Sequence, residues 1–269
     1  MEKEVKFENQ NIKIVFFDID WTLYDHKNNC FNEKSIDAIK NMQNKGIKII
    51  LCTARPYHSM LHLGTLDLIK PDGYIVSNGG ATFLYDELLD TLYFKDDDIE
   101  LIYNLAKKYH LAMEMVGPKE RFLVTPKTKE VDELFSVYKE VIPTFRPYFI
   151  GQKVVAALLF AKNEYDEVFL SSLPDNIYYK RYAEAGVDII PEVRLKSKGV
   201  NIILNKLNIK KENALAFGDD VQDISMFSSV GYSICLNNGN NLAKESATYI
   251  CDDIYNDGVY KALKTLKLI

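Results

Sequence analysis

Two aspartates stand at the end of the first strongly apolar segment of the chain. Asp18 and Asp20 close the run IKIVFFDID, which spans residues 12–20. Residues two apart in an extended chain point to the same side, so we expect both carboxylates to face one crevice. Such a pair is tolerated when a cation lies between the two groups or when one of them keeps a proton. One carboxylate could then act as a nucleophile and the other as a general acid and base, the alternative being two solvated loop acids.

A second acidic pair lies in the segment GDDVQD, residues 218–223, directly after the apolar run ALAF. Asp219 and Asp223 are four residues apart, which places them on one side of a helical turn. Oxygen ligands at the end of a strand suit a hard cation such as Mg²⁺. The alternative is an ordinary acidic first turn of a helix, where carboxylates interact favourably with the helix dipole.

A threonine and a lysine occupy comparable positions in two other segments. Thr53 ends the apolar run in IKIILCTAR, residues 47–55, and its hydroxyl, with the first amides of the next helix, could hold a phosphate. The alternative for Thr53 is a plain helix N-cap. Lys198, in LKSKG, begins a helix, where a positive charge opposes the helix dipole and suggests an anionic partner. An ordinary surface lysine is the alternative there.

The elements that must position these residues follow a strand–helix rhythm. Apolar runs without alternation are typical of parallel strands covered on both faces, and they alternate with helical segments before residue 81 and after residue 187. Between them the pattern changes to hairpins and helices. We therefore predict an α/β fold, in which a Rossmann-like parallel-sheet core domain of residues 1–81 and 187–269 carries an inserted α+β cap domain of residues 82–186.

The predicted sheet would bring the four segments together. Carboxyl ends of adjacent parallel strands build the binding crevice of such sheets. A nucleophile, an acid, a hydroxyl, a cation and a metal site in one crevice are the components of phosphoryl transfer.

Composition narrows the classes of partner. The chain has 269 residues, 47% of them hydrophobic and 26% charged, which is ordinary for a globular protein. Its net charge of −5 provides no broad basic surface for nucleic acid, and no apolar run approaches the roughly 20 residues of a membrane span. The first residues carry no apolar signal-peptide core, and the four cysteines are scattered. We expect a soluble cytoplasmic protein with no nucleic-acid, membrane or obligate protein partner.

The ordered motifs resemble those of the haloacid dehalogenase superfamily, and more narrowly the Cof-type phosphatases of subclass IIB. The DxDGT motif of that family appears as DIDWT at residues 18–22, the strand-end hydroxyl as Thr53, the SKG lysine as Lys198, and GDxxND as GDDVQD. SNGG, with Asn78, resembles the family's NGA turn, and Asn238 lies at its GNA segment. The insertion falls where this subclass keeps its cap domain.

This resemblance implies a set of site residues. Asp18 would attack phosphorus to form an aspartyl phosphate, and Asp20 would protonate the leaving oxygen and then activate water. The phosphoryl oxygens would be bound by Thr53, Ala54, Asn78 and Lys198. Mg²⁺, the implied cofactor, would be held by Asp18, Asp20, Asp219 and Asp223, with Asp20 contributing its backbone carbonyl.

The implied reaction is hydrolysis of a small phosphate monoester: a sugar phosphate, a nucleotide or a phosphorylated cofactor. A phosphotransferase or mutase on the same core and a catalytically weak ligand-binding relative are alternatives. A signalling receiver uses a similar set of residues in a shorter chain, so the insertion argues against it.

Four residues could lie on the substrate side of the site. Trp21 replaces the usual glycine of the first motif; we expect it to pack into the core, the alternative being that it narrows the entrance. Arg55, Arg181 and Asn238 are the others, although a solvated strand face is the default for Arg181.

Overall fold

The structure, a computed structural model, describes residues 11–138 and 141–269, and the chain divides into two compact units. Unit 1 holds the described residues up to Ala54, together with Gly64–Asp90 and Arg194–Ile269. Unit 2 holds Arg55–Leu63 and Thr91–Val193.

The strands and helices are numbered in chain order. The strands are β1 (Ile14–Phe17), β2 (Tyr24–Asp25), β3 (Cys30–Phe31), β4 (Lys48–Cys52), β5 (Gly73–Val76), β6 (Ala81–Leu84), β7 (Glu87–Thr91), β8 (Ala112–Val116), β9 (Arg121–Leu123), β10 (Ala156–Phe160), β11 (Tyr178–Ala183), β12 (Gly186–Ile190), β13 (Ala214–Gly218), β14 (Tyr232–Leu236) and β15 (Tyr249–Cys251). The α-helices are α1 (Glu33–Asn44), α2 (Tyr57–His62), α3 (Thr65–Ile69), α4 (Asp96–Lys108), α5 (Lys129–Tyr138), α6 (Lys196–Leu207), α7 (Ile224–Ser228), α8 (Asn241–Ser246) and α9 (Gly258–Thr265).

Unit 1 is built on an eight-stranded sheet in the order β15-β14-β13-β1-β4-β5-β6-β7. β1 lies inside this sheet and pairs in parallel with β13 on one side and β4 on the other. All four residues of β1 are buried, as expected for a strand covered on both faces. The α/β fold with a largely parallel sheet is therefore confirmed.

Helix α6 approaches the sheet of unit 1 unusually closely. A Cβ placed on Gly199 would lie 2.7 Å from Thr82 Oγ1 and 2.8 Å from Ile75 Cγ2. Only hydrogen fits there, so glycine at 199 allows the first turn of α6 to rest on β5 and β6. This close approach sets where the N-terminal residues of the helix lie.

Unit 2 contains a five-stranded sheet in the order β11-β12-β10-β8-β9, with β8, β10 and β12 paired antiparallel. One hydrophobic cluster of this unit includes Ile99 and Ile102 of α4 and Met113 and Met115 of β8. Helix α4 therefore packs against this sheet.

The unit boundaries differ from the predicted domain boundaries of 81/82 and 186/187. β6 pairs antiparallel with β5, and β7 follows β6 in the same sheet, so the hairpin assigned to the insertion extends the sheet of unit 1. Conversely, residues 55–63 cluster with unit 2. A hairpin looks the same in a sequence whichever sheet it joins, because pairing is decided by distant strands.

No helix in the described part of the chain is long and apolar enough to cross a membrane.

We predict that Gly199→Ala lowers the free energy of unfolding by about 1–2 kcal/mol. The added methyl overpacks the contact with β5 and β6, which outweighs the higher helix propensity of alanine. Urea unfolding followed by circular dichroism measures the change. Asn201→Ala, at an exposed position of the same helix, is the control and should shift stability by no more than about 0.5 kcal/mol. Equal stability of the two variants would contradict the proposed close packing.

Candidate functional site

Three aspartates meet at the carboxyl ends of two adjacent strands of unit 1. Asp18 follows β1 and Asp219 follows β13, while Asp223 lies one turn further along the same loop. Their exposed fractions are 6%, 8% and 1%. One carboxylate oxygen from each lies within 4.8 Å of the others. The structure thus brings together the residues of both predicted acidic pairs, apart from Asp20. Asp20 is partly exposed, but it is close enough to raise the pKa of Asp18.

A buried lysine lies between two of these carboxylates. Lys196, the first residue of α6, donates hydrogen bonds from Nζ to Asp18 Oδ1 and to Asp223 Oδ1, each 2.7 Å long. Its side chain is only 2% exposed. This ammonium group partly balances the charge of the three acids.

Lys198, the lysine predicted for this place, lies elsewhere. Its side chain is 54% exposed and pairs with Asp90 at 2.9 Å. Residues two positions apart in a helix are separated by about 200° around its axis. Only one of Lys196 and Lys198 can therefore face the cluster. The segment LKSKG contains both, and matching the SKG motif selects the wrong one. Lys196 is therefore the cation of the cluster.

The cluster has an excess of negative charge. Burial raises the pKa of Asp18 well above its usual range; Lys196 opposes this rise, while Asp223, Asp219 and Asp20 add to it. Burial and the neighbouring Asp223 likewise raise the pKa of Asp219 to about 7. Burial acts to lower the pKa of Lys196, but Asp18 and Asp223 outweigh it, and the pKa is raised. Lys196 therefore stays charged, and the carboxylates would be stabilised by a further cation.

The buried acids fit a hard divalent cation. Asp18, Asp219 and Asp223 offer oxygen donors of the kind that Mg²⁺ prefers, and they gather closely in a buried place. Their raised pKa values arise from burial and mutual repulsion, which a bound cation would relieve. The donor set and its charge are therefore suited to the predicted cofactor.

The loop after β13 is shaped around Asp223. Asp223 Oδ2 accepts hydrogen bonds from the backbone amides of Asp219 and Asp220, at 2.9 and 3.0 Å. A Cβ at Gly218 would lie 2.5 Å from Asp223 Cγ, so glycine is needed where the carboxylate folds back on the chain. Thr22 donates from Oγ1 to Asp219 Oδ1 at 3.1 Å, which ties this loop to the one after β1. Asp220 is exposed and caps the short turn of residues 221–223.

The loop after β1 carries Asp20 and Trp21 and is held by backbone hydrogen bonds. The amide of Trp21 donates to the Tyr24 carbonyl at 2.9 Å. Trp21 adopts a left-handed backbone with φ of 61°, which explains why glycine is favoured at this position in the family motif. Trp21 is 38% exposed, so the expectation that it packs into the core is wrong. The ring instead packs beside His26, with centroids 5.1 Å apart.

The side chain of Asn238 forms hydrogen bonds to the backbone of unit 1. Its Nδ2 donates to the Trp21 carbonyl at 3.0 Å, and its Oδ1 accepts from the Ile254 amide at 2.9 Å. Both ends of the carboxamide therefore connect loops, and the predicted substrate-facing role gives way to one of holding the loop that contains Trp21.

Thr53 and Asn78 lie together beside this edge of the sheet. Thr53 follows β4, the neighbour of β1, and is fully buried, while Ala54 is exposed. The Asn78 amide donates to the Thr53 carbonyl at 3.0 Å. Asn78 has a left-handed φ of 55°, and its Oδ1 is buried with no hydrogen-bond partner within the described residues. The turn of residues 77–80 therefore presents polar groups next to the end of β4.

Arg55 and Arg181 belong to unit 2. Arg55 donates from a guanidinium nitrogen to Ser59 Oγ at 2.7 Å. The Arg181 guanidinium pairs with the Asp166 carboxylate and donates to the carbonyls of Ala161 and Glu184, each at 2.8 Å. These contacts bind Arg181 to its own unit, which contradicts the expectation that it receives an anionic substrate.

His26 is a polar neighbour of the site that sequence reasoning missed. Its Nε2 lies 2.5 Å from Asp20 Oδ1. The two residues are six apart, a spacing with no meaning in a helix or a strand. A backbone bridge between Asp20 and Tyr24 and the turn that follows β2 bring them together. No pattern in the sequence marks this contact.

Comparisons with known proteins show which family and which solved structures the chain resembles. The family model for haloacid dehalogenase-like hydrolases matches residues 15–263. Phosphoglycolate phosphatase 1 of Saccharolobus solfataricus is 27% identical over 255 residues, covering 92% of each chain. A solved structure described as a sugar phosphatase of haloacid dehalogenase subclass IIB has a TM-score of 0.74 and 26% identity, and the match covers 96% of this chain and all of that one.

A longer relative also matches. A Streptococcus pyogenes protein, whose name joins a phosphatase to a peptidyl-prolyl cis–trans isomerase, is 24% identical over 280 residues. The alignment covers all of this chain but 57% of that protein. The present chain thus spans little more than half the length of this relative.

We predict that Lys196→Met lowers the free energy of unfolding by about 3–5 kcal/mol in the presence of a chelator. The change leaves Asp18 and Asp223 buried without their ammonium partner. Urea unfolding at neutral pH measures the effect. Lys198→Met breaks an exposed pair with Asp90 and should cost less than about 1 kcal/mol. A reversed order of the two variants would show that Lys198 is the buried cation.

Proposed function

This chain belongs to the haloacid dehalogenase-like hydrolase family and is a phosphatase, and we propose that it hydrolyses small phosphate monoesters through an aspartyl-phosphate intermediate, with Mg²⁺ as cofactor. The observation that carries the proposal is the buried cluster of Asp18, Asp219 and Asp223 around Lys196. A carboxylate can attack a phosphate dianion only where positive charge offsets the repulsion.

In the first half of the reaction an Asp18 oxygen forms a bond to phosphorus. The ester P–O bond breaks, and the leaving oxygen takes a proton from the Asp20 carboxyl group. In the second half Asp20 removes a proton from water as the water oxygen attacks phosphorus. The bond between phosphorus and Asp18 breaks, which releases inorganic phosphate and restores both carboxyl groups.

The neighbouring residues would bind the charge that develops. Lys196 lies 2.7 Å from Asp18 Oδ1, so its ammonium is placed to pair with a phosphoryl oxygen beside the nucleophile. Thr53 and Asn78, at the next strand end, would donate to other oxygens of the same group. Mg²⁺, held by Asp18, Asp219, Asp223 and the Asp20 carbonyl, would supply further positive charge for the phosphoryl oxygens.

We assign the choice of substrate to unit 2. The cluster of aspartates and Lys196 lies wholly in unit 1, together with Asp20, Thr53 and Asn78. Two relatives are named for different phosphate esters, one as a sugar phosphatase and the other as a phosphoglycolate phosphatase. A shared phosphoryl site with a separate variable unit accounts for such diversity, and small phosphorylated metabolites are the expected substrate class.

We predict that Asp18→Asn abolishes turnover while the fold persists. The amide is nearly isosteric but cannot form the acyl phosphate, and loss of a nucleophile costs several orders of magnitude. Release of phosphate from 4-nitrophenyl phosphate measures activity, and circular dichroism checks the fold. Asp37→Asn, at an exposed position of α1, is the control and should keep wild-type activity. Turnover of Asp18→Asn above about a hundredth of wild type would contradict the nucleophile assignment.

We also predict that activity is lost in excess chelator and returns with Mg²⁺. Asp219→Ala should raise the Mg²⁺ concentration needed for half-maximal activity at least about tenfold, because it removes a buried oxygen donor. Asp220→Ala is the control, since Asp220 is exposed and its carboxylate caps the adjacent turn. Titration of activity with Mg²⁺ compares the two variants. Undiminished activity in chelator would remove the metal from the mechanism, and a larger effect at Asp220 would mean that the ligand is misassigned.

A further inference from the structure

The contact between His26 and Asp20 is short and specific. His26 Nε2 lies 2.5 Å from Asp20 Oδ1, and the two side chains are 33% and 28% exposed. A carboxylate with this much exposure would rotate among several orientations in water unless a neighbour restrained it. His26 is thus in a position to set the orientation of the Asp20 carboxylate.

Aromatic contacts hold the His26 ring in place. Its centroid lies 5.1 Å from that of Trp21 and 5.0 Å from that of Tyr24, the latter in an edge-to-face arrangement. Tyr24 in turn packs edge-on against Phe31 of β3, with centroids 5.1 Å apart. Edge and tilted contacts of this kind favour particular ring orientations. The imidazole therefore has neighbours that restrain its rotation.

The hairpin that carries His26 is also stabilised at its turn. Asp25 Oδ1 accepts from the Lys27 amide at 2.8 Å, and Asp25 Oδ2 accepts from Asn28 Nδ2 at 2.6 Å. The Asp25 side chain thereby binds one backbone amide and one side chain of the two residues that follow His26. An ordered turn on one side and Trp21 on the other give His26 a defined place in the loop.

We propose that His26 is a positioning residue for catalysis, and that its Nε2 donates a hydrogen bond which orients the Asp20 carboxyl group for proton transfer to the leaving oxygen. This inference rests on the proposed function, in which Asp20 is the general acid. Fixing Oδ1 through His26 sets the rotation of the carboxyl group about the Cβ–Cγ bond, and so the direction of Oδ2. General acid catalysis depends strongly on such geometry.

A positioning role differs measurably from a purely structural one. An ester with a weakly basic leaving group departs without much help from an acid, whereas a more basic leaving group needs the proton. Poor positioning of Asp20 should therefore slow esters in proportion to the basicity of the leaving oxygen. Damage to the loop alone would slow all esters alike.

The experiment compares 4-nitrophenyl phosphate with phenyl phosphate, whose leaving phenolate is the more basic. kcat/KM is measured because it reports the step that expels the leaving group. We expect His26→Phe, which keeps a ring for Trp21 and Tyr24, to lower kcat/KM about 10- to 100-fold for phenyl phosphate and less than about threefold for 4-nitrophenyl phosphate. His26→Gln, which keeps a donor, should recover a large part of the loss. His62→Phe, at an exposed position of α2, is the control and should change neither ester.

Equal losses on the two esters, no loss on either, or no recovery by His26→Gln would each overturn the positioning role. If His26→Phe lowers the melting temperature by more than about 5 °C, His26→Asn, whose shorter amide cannot reach Asp20, takes its place in the same comparison.

Asp20→Asn, measured in parallel, separates this inference from the proposed function. A loss that falls more heavily on phenyl phosphate supports Asp20 as the acid, and the inference about His26 then stands or falls on its own variants. Equal losses for Asp20→Asn on both esters would overturn the acid role of Asp20 and the inference with it.

Discussion

One ammonium group between buried carboxylates is the interaction on which the rest of unit 1 depends. Lys196 binds Asp18 and Asp223 where all three side chains are almost fully buried. Burying acids so close together is costly unless a positive charge accompanies them. Helix α6 must therefore begin at this edge of the sheet, and Gly199 allows it to do so by removing the side chain that would press on β5 and β6. The packing of one helix thus serves the electrostatics of one site.

The backbone around the cluster is arranged by the same need. Asp223 uses one oxygen for Lys196 and the other for two amides of its own loop, so it is both a charge partner and a scaffold. Thr22 links the loop after β1 to Asp219, and Asn238 holds the carbonyl of Trp21. These contacts connect the loop after β1 to the loops after β13 and β14. The excess negative charge of this site supports our proposal that it binds a cation and, through it, a phosphate.

The chemistry we propose divides naturally among these groups. The buried carboxylates and Lys196 would bind and transfer the phosphoryl group. Asp20, partly exposed in its loop, would exchange protons with the leaving group and with water. The proton donor must be accessible to solvent and substrate, so burial cannot be what fixes the orientation of its carboxyl group. A neighbouring imidazole held by aromatic rings offers a way to orient it without burying it.

Much of this was determined by the sequence alone. Unbroken apolar runs ending in Asp18, Thr53 and Asp219 predict parallel strands with polar groups at one edge, because strand direction brings those ends together. The α/β fold and the family follow from the order of the motifs. The tertiary structure alone decided which lysine enters the cluster. Lys196 and Lys198 both lie in the first turn of α6, and only the packing of the helix orients one of them inward. It likewise decided that β6 and β7 extend the sheet of unit 1, that Trp21 lies outward, and that His26 meets Asp20. Each of these features depends on contacts between segments that are far apart in the sequence. Local residue patterns do not predict such contacts.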